Sequence, residues 1–298
     1  MADSISNIHI KAFTDIVLVK AQQMKTKARP WVEYKQVNGE SASFQTLQQI
    51  DFVAKAARLA PTPSQDPTHQ SRWTTLAAYH GAIQLDSQDR AAILMDPMSK
   101  YGDLMAGAMA RRWDTFILEA AIANSSYGVA AGSTETWSSF TDRNSNSHII
   151  AVGAGPLSVA KILQAGRLMD ECDVDEGPEN RVLFVSPQAI EDMLATVEGA
   201  SRDYGPIYNL YNKTISIGFG FTWVLTNRLA KSGTTPNITR KCIAMQRGAV
   251  GLAVGIEDSF QHGIRTDLSY AREVYGELMG GAVRLDGERV VEIDIYEA

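Results

Sequence analysis

The histidines and cysteines are the side chains of this sequence best suited to catalysis or metal binding. The histidines are His9, His69, His80, His148 and His262. They are scattered, with no H-E-x-x-H motif and no paired spacing, so we expect each to be structural or exposed rather than a metal ligand. Cys172 and Cys242 lie far apart and form no C-x-x-C pattern. Two isolated thiols argue against a zinc or disulfide framework and suit a reducing compartment.

Two other strings resemble fragments of catalytic or cofactor-binding motifs. Ser186-Pro187 stands where a nucleophile elbow could lie, but no G-x-S-x-G motif occurs, and a proline after the serine favours a helix cap. Gly153-Ala154-Gly155 resembles half of a dinucleotide-binding loop, but Ser158 occupies the position of the third glycine. We therefore predict no catalytic residue and no bound cofactor.

An acidic loop and an aromatic segment are the remaining candidates for ligand binding. In the loop 170–177, placing Gly177 at the sixth position of a calcium-binding loop puts Cys172 first, and a thiol there does not fit that ligand set. The segment 218–223 carries Phe219, Phe221 and Trp223 without interleaved basic residues, which favours strand packing over nucleic-acid binding. We predict no metal site.

The charge balance also bears on possible partners. The 298 residues include 28 Lys and Arg against 34 Asp and Glu, a net charge of -6. Tight binding to nucleic acid depends on clustered positive charge, which this balance disfavours. Residues 1–13 lack the pattern of a signal peptide, and no apolar run approaches the roughly 18 residues of a membrane span. We expect synthesis in the cytoplasm and no membrane partner.

The first third of the chain predicts an arm followed by a long excursion. Residues 13–29 have the three- and four-residue apolar spacing of an amphipathic helix, which ends before Pro30. Residues 32–35 and 43–47 alternate like strands around a possible hairpin turn at Asn38-Gly39, and residues 73–85 alternate again. The stretch between them contains prolines 61, 63 and 67. Such a hairpin is only marginally stable alone, so we expect another surface to cover it.

One long helix is predicted at residues 98–124. Asp96-Pro97 is a strong helix start, and apolar residues then recur at helical spacing between charged ones. The predicted core stripe of this helix is Met105, Met109, Trp113 and Phe116.

The rest of the chain predicts a compact lobe and terminal strands. Residues 157–170 and a short segment after Ser186 favour helices, and residues 181–185 favour a buried strand. Near the end of the chain, a three-residue loop at 285–287 would align Val283 with Val291 on one face of a hairpin. The element order predicts an α+β fold.

The order of elements and several strings resemble the tailed-bacteriophage major capsid protein of the Hong Kong-type fold, in its podovirus-like branch. The strings span almost the whole chain: Ala21–Lys25, Ala108–Asp114, Gly155–Ser158, Arg181–Pro187, Ser201–Tyr204, Ile217–Phe219 and Gly280–Leu285. Each string is weak alone, and their order and spacing carry the resemblance.

The resemblance implies a segmentation of the chain. Residues 1–29 would form the N-terminal arm, 30–92 the extended E-loop, and 93–149 the peripheral domain with its spine helix at 98–124. Residues 150–261 would form the axial domain, and 262–298 would return to the peripheral domain as strands. Five aromatic residues of the E-loop would then lie at subunit interfaces: Trp31, Tyr34, Phe44, Trp73 and Tyr79.

The implied function is a shell protein that self-assembles into pentamers and hexamers of an icosahedral head around double-stranded DNA. Scaffolding and portal proteins are the implied partners, and packaged DNA would lie nearby without specific contacts. An encapsulin-like nanocompartment shell with the same fold stays open as an alternative. An α/β enzyme using the lobe at 150–260 is the second alternative, although the sequence lacks convergent titratable groups for it.

Overall fold

A computed structural model describes residues 22–50, 52–55, 57–58, 62, 64, 66–86, 98–153, 155–194, 217–234 and 237–297. Three α-helices are described: α1 (Met98–Ile122), α2 (Val159–Asp170) and α3 (Pro187–Leu194). The strands are β1 (Glu33–Gln36), β2 (Ser41–Leu47), β3 (His69–Thr75), β4 (Ala77–Leu85), β5 (Ser125–Tyr127), β6 (Ser133–Glu135), β7 (Ile149–Ile150), β8 (Arg181–Val185), β9 (Ile217–Gly218), β10 (Phe221–Leu225), β11 (Lys231–Thr234), β12 (Asn237–Gln246), β13 (Val250–Arg265), β14 (Ala271–Arg284) and β15 (Val290–Glu297). The α+β class is confirmed.

The described strands form three sheets. One has the order β1-β13-β14-β4, the second β7-β15-β12-β8-β10-β9 with β11 beside β12, and the third β2-β3-β5-β6. One apolar core joins α1 to the seven-stranded sheet and to the β13–β14 hairpin. A smaller core, which includes Phe44 and Val283, lies under β2 and β14.

Three of the four predicted helices and the buried strand are present. The arm helix predicted at 13–29 is wrong for its described part, because residues 22–28 are not helical and only a short 3-10 helix follows at Arg29–Trp31. Helix α1 ends at Ile122, two residues before the predicted end. Helix α2 begins after Ser158, whose side chain accepts a hydrogen bond from the backbone N–H of Lys161. Ser186 Oγ accepts from the N–H of Ala189 at 3.1 Å, which confirms the helix cap. All five residues of β8 are buried, as expected for a strand covered on both faces.

Two predicted hairpins are wrong. Strand β1 pairs in parallel with β13, whereas β2 pairs with β3, so the turn at Asn38-Gly39 joins strands of different sheets. Likewise β14 pairs with β13 and β4, while β15 pairs with β12 and β7. Residues 285–287 are therefore a crossing between sheets. In both cases the two strands on either side of the turn belong to different sheets.

Near the end of the chain, the strands do not divide between the sheets at the predicted segment boundaries. Strand β13 continues through residue 261, where the axial segment was expected to stop. Strand β15 was expected to belong with the peripheral domain, but it lies in the seven-stranded sheet beside strands of the 150–261 segment. The seven-stranded sheet thus includes the C-terminal strand.

Candidate assembly surfaces and the helix that supports them

A single turn of α1, Arg111 to Asp114, holds the end of the N-terminal arm. Asp114 is buried, and its Oδ1 accepts hydrogen bonds from the backbone N–H groups of Lys27 at 2.9 Å and Ala28 at 3.0 Å. Arg111 Nη1 donates to the side chain of Gln22 at 2.8 Å. Burial raises the pKa of Asp114 above its ordinary value, although these N–H groups pull it down. Residues 1–21 of the predicted arm lie outside the described residues.

The predicted core stripe of α1 lies against β14. Met105, Met109 and Trp113 are buried, and Phe116 is partly buried beside the same core. The strand presents glycine to this stripe: a Cβ atom on Gly276 would be 2.6 Å from Cε of Met109. The ends of the Met105 and Met109 side chains thus pack directly on the strand at this glycine.

Arg112 connects α1 to β4. Its guanidinium carbon lies 4.1 Å from the ring centroid of Tyr79 and 4.6 Å from that of Phe116. The two rings meet edge to face at 5.3 Å. Such cation–π contacts contribute about 0.5–1 kcal/mol each at exposed sites. Tyr79 remains 38% exposed and belongs to the surface of the β4–β14 sheet.

The other four predicted interface residues have different environments. Phe44 is buried within its own chain, where a Cβ on Gly251 would be 2.9 Å from its ring. Trp73 is half-buried, and its indole N–H donates to the backbone oxygen of Gly128 at 2.7 Å. Trp31 is half-buried and Tyr34 is exposed. Strands β2 and β3 therefore pack onto their own chain at Phe44 and Trp73, and the interface role of the five aromatic residues stays a prediction.

Charged side chains hold strand β3 against β6 and β14. Glu135 of β6 accepts hydrogen bonds from Arg72 of β3 at 3.1 and 3.2 Å and from Arg284 of β14 at 3.2 Å. Burial acts to raise the pKa of Glu135, but these two guanidinium groups lower it below its usual value. Arg284, which is fully buried, also donates to the backbone oxygens of Ala121 and Ala123 at the end of α1. This cluster joins three segments that are far apart in sequence.

Two projecting segments keep large apolar side chains exposed. At the end of β2 and on the loop after it these are Leu47, Ile50, Phe52 and Val53. Along the β13–β14 hairpin they are Ile256, Phe260, Ile264, Leu268 and Tyr270. Apolar side chains grouped in this way on a surface mark a site of protein–protein contact.

A broad groove lies between strands β2 and β3 and the seven-stranded sheet. Phe44, Arg143, Cys172 and Glu288 are among the residues that line it. Its charged groups form pairs, for example Arg143 Nη2 with Glu288 Oε2 at 2.6 Å, and this contact raises the pKa of Arg143.

A group of possible metal ligands lies behind this groove. Asp142, His148 and Cys172 are all buried, and their ligand atoms lie within 4.8 Å of one another. The spacing of Asp142 and His148, six residues apart on one loop, was the signal available in the sequence, but Cys172 lies on a distant segment. The sequence alone therefore does not reveal this group, nor does it reveal the contacts made by Arg111, Asp114 and Arg284.

The other sequence motifs have structural roles. The acidic loop wraps around Arg181, which donates to Asp170 at 2.6 Å and to the backbone oxygen of Asp175 at 2.9 Å. Trp223 is buried in β10 and donates to the backbone oxygen of Gly218. No described helix is long and apolar enough to cross a membrane.

Comparisons with known proteins point to phage capsid proteins. Residues 5–297 match the family model described as phage capsid protein. A search of curated proteins found no match.

Similar solved structures cover almost the whole chain. The capsid of cyanophage P-SCSP1u has a TM-score of 0.70 at 16% identity over 99% of this chain and 95% of that one. The capsid of Ralstonia phage GP4 has a TM-score of 0.69 at 12% identity over 95% and 94%. A Mycobacterium phage Che8 structure has a TM-score of 0.67 at 15% identity over 94% and 95%. These similarities show a shared fold.

Proposed function

The chain belongs to the phage capsid protein family, and we propose that it is the major capsid protein, whose copies form the pentamers and hexamers of an icosahedral head around double-stranded DNA. The observation that carries this proposal is the exposed apolar tip of the E-loop. Phe52 is fully exposed, and Leu47, Ile50 and Val53 beside it are each more than half exposed. Four such neighbours in one loop are costly in water unless another surface covers them. A neighbouring subunit supplies that surface.

The base of the E-loop, strands β2 and β3, is held by its own chain, whereas the tip around Leu47 to Val53 contacts a neighbouring subunit. The base is held by the contacts of Arg72 and Phe44 with the same chain, so the tip leaves the subunit in a fixed direction. The interface therefore centres on the tip, with the exposed Tyr34 and Tyr79 at its margin and the half-buried Trp31 and Trp73 contributing less. Repeated by symmetry, modest contacts of this kind yield a stable shell.

The grouping of strands into sheets supports the domain scheme of this proposal. The axial domain consists of the seven-stranded sheet with α2 and α3, and it includes β15. The peripheral domain consists of α1, which acts as the spine helix, together with the β1-β13-β14-β4 sheet packed against it. The N-terminal arm joins this domain through Asp114.

Partners and location follow from the role. A separate scaffolding protein guides assembly in the host cytoplasm, a portal protein occupies one vertex, and the finished protein resides in the virion. The net charge of -6 limits adhesion of packaged DNA to the inner wall. Membership of the phage family favours this role over an encapsulin-like compartment.

The protein has no enzymatic role in this proposal. An active site requires a pocket with convergent titratable groups that remain available to a substrate. In the groove the Arg143 guanidinium is instead held by Glu288 and Asp173, which supports a structural role.

Electron microscopy of the purified protein, alone and with a scaffolding protein from the same phage, tests the proposal. We expect capsomers or closed shells. A monodisperse monomer at high concentration in the presence of scaffold would overturn it.

A further inference from the structure

We propose that Asp142, His148 and Cys172 form a binding site for a tetrahedral divalent metal ion of the zinc type. The three side chains come from two segments: Asp142 and His148 flank a tight loop, and Cys172 follows the end of α2. The loop is closed by the bridge between Thr141 and Ser147 and by hydrogen bonds from the N–H of Asp142 to Asn146 O and from the N–H of Ser145 to Asp142 O. This closure brings the carboxylate and the imidazole of one loop to the same point.

The distances between the three ligand atoms fit one face of a tetrahedron around a metal ion. Asp142 Oδ2 lies 3.4 Å from His148 Nε2 and 3.4 Å from Cys172 Sγ, and Sγ lies 3.9 Å from Nε2. Bonds of about 2.1 Å to nitrogen or oxygen and about 2.3 Å to sulfur, at tetrahedral angles, require separations of about 3.3–3.6 Å between ligand atoms. Each observed separation is within a few tenths of an ångström of that range.

The surrounding hydrogen bonds orient two of the ligands. His148 Nδ1 lies 2.9 Å from the backbone oxygen of Val290 and donates to it, which leaves the Nε2 lone pair directed at Asp142 and Cys172. Asp142 Oδ1 accepts from the N–H groups of Asn144 at 2.8 Å and Asn146 at 2.7 Å, whereas Oδ2 faces the other two ligands and has one further, long contact, with Asn146 Nδ2 at 3.4 Å. Second-shell bonds of this kind are the usual support of histidine and carboxylate ligands.

The imidazole ring is also held from the side. Phe140 meets it edge to face at a centroid distance of 5.6 Å and is itself stacked on Trp137 at 5.4 Å. A rigid ligand set of this kind is preorganised, so little ordering is needed when the ion binds.

The donor set selects the kind of ion. One sulfur, one imidazole nitrogen and one carboxylate oxygen suit Zn²⁺ or Co²⁺, whereas Mg²⁺ and Ca²⁺ prefer oxygen ligands throughout. The two negative charges of a thiolate and a carboxylate balance the charge of the ion, which removes the cost of a buried thiolate. Cys172 also lines the groove, which provides a route from solvent and room for a water molecule as the fourth ligand.

A bound ion would cross-link two segments of the chain. It would join the loop 141–147 to the end of α2 beside the start of β15, because Val290 already holds the histidine. An ion that binds the folded state preferentially raises its stability by mass action.

Cobalt provides the direct test, since a cobalt–thiolate bond gives a charge-transfer absorption in the near ultraviolet. The chelator-washed full-length protein is titrated with Co²⁺ and then with Zn²⁺, with absorption and thermal unfolding as readouts. We expect one equivalent of Co²⁺ to produce the thiolate band, Zn²⁺ to remove it, and both ions to raise Tm.

Matched variants at the two cysteines locate the site. Cys172→Ala should lose the band and the Tm shift, whereas Cys242→Ala should keep both, because Cys242 is equally buried but lies in β12. His148→Asn should weaken Co²⁺ binding at least tenfold. If a variant fails to fold, the parent protein still decides the question. Absence of the thiolate band from the folded parent, or its loss from Cys242→Ala alone, would show that the cluster is only a hydrogen-bonded core and overturn the proposal.

Discussion

The indole of Trp113 packs directly on the backbone of Gly280. A Cβ atom at position 280 would lie 2.4 Å from Cζ3 of Trp113 and 3.1 Å from the backbone oxygen of Ala253. The indole N–H donates to Asp258 Oδ1 at 2.7 Å, so the ring is fixed at both ends. This contact sets the distance between the spine helix and the β13–β14 hairpin.

Gly280→Ala should therefore lower the free energy of unfolding by about 1–3 kcal/mol, because the added methyl group overpacks a rigid contact. Chemical denaturation measures the change. Gly263→Ala in β13 is the control, since a Cβ there has no heavy atom within 4 Å. Gly280→Ala combined with Trp113→Leu should cost less than the sum of the two single changes. Additive losses would mean that the two residues do not constrain each other.

Arg284→Ala should cost about 2–5 kcal/mol of stability, because it removes a fully buried side chain and leaves the last carbonyls of α1 without a donor, while Glu135 keeps only Arg72 as its guanidinium partner. The guanidinium also stacks on Trp137 at 4.2 Å. Thermal unfolding of the isolated subunit measures the loss. Arg289→Ala is the matched control: its ion pair with Asp286 is exposed, and such pairs are worth less than about 1 kcal/mol. Equal effects of the two changes would contradict the role given to Arg284.

Asp294 makes stability depend on pH. Burial first, and then the negative charge of Glu292, raise its pKa to about 6, while Lys241 and Lys161 oppose the shift. The folded state thus holds a proton that the unfolded state releases, so stability is gained as pH falls through about 6 and lost as pH rises through it.

Asp294→Asn should stabilise the protein at pH 7.5 by about 1 kcal/mol, a figure reduced because the carboxyl is only partly buried. Near pH 5 the variant and the parent should differ much less. Tm measured from pH 5 to pH 8 tests this. A parent whose Tm relative to the variant does not fall across this range would show that Asp294 titrates normally.

Local features of the fold could be predicted from the sequence, and long-range pairing could not. The stripe of Met105, Met109 and Trp113 determines α1, and Ser186-Pro187 determines the start of α3, because both signals lie within a few residues. The partners of β1 and β15 lie on strands that are distant in sequence, which no local pattern specifies. The apolar pattern indicates which face of a strand is buried but not against which strand.

For the functional surfaces too, the residue types could be predicted from the sequence, but their burial and their partners could not. Exposed aromatic residues were predicted throughout the E-loop, but Phe44 is buried because Gly251 admits its ring. The charged residues that anchor the loop, Arg72 and Glu135, have no distinctive spacing in the sequence. Their importance follows from burial and pairing, which only the fold provides.

The tip of the E-loop should matter for assembly and little for the fold. Phe52→Ser should change the stability of the subunit by less than about 0.5 kcal/mol, because surface substitutions rarely do more, yet it should reduce the yield of shells at least severalfold. Sedimentation of assembly reactions measures that yield. Leu163→Ser is the control, since Leu163 is also exposed but lies on α2. If Phe52→Ser assembles as well as the parent, the tip is not an interface.

Hydrogen exchange on free subunits and on assembled shells tests whether a neighbouring subunit covers the tip of the E-loop. We predict that the end of β2 and the loop after it, around residues 47–55, exchange rapidly in the free subunit and become protected in the shell. In contrast, β3 and β5 at the base should be protected in both states, since they already pair within one chain. Equal exchange of the tip in the two states would show that no neighbouring subunit covers it, and would contradict the assembly role assigned to this loop.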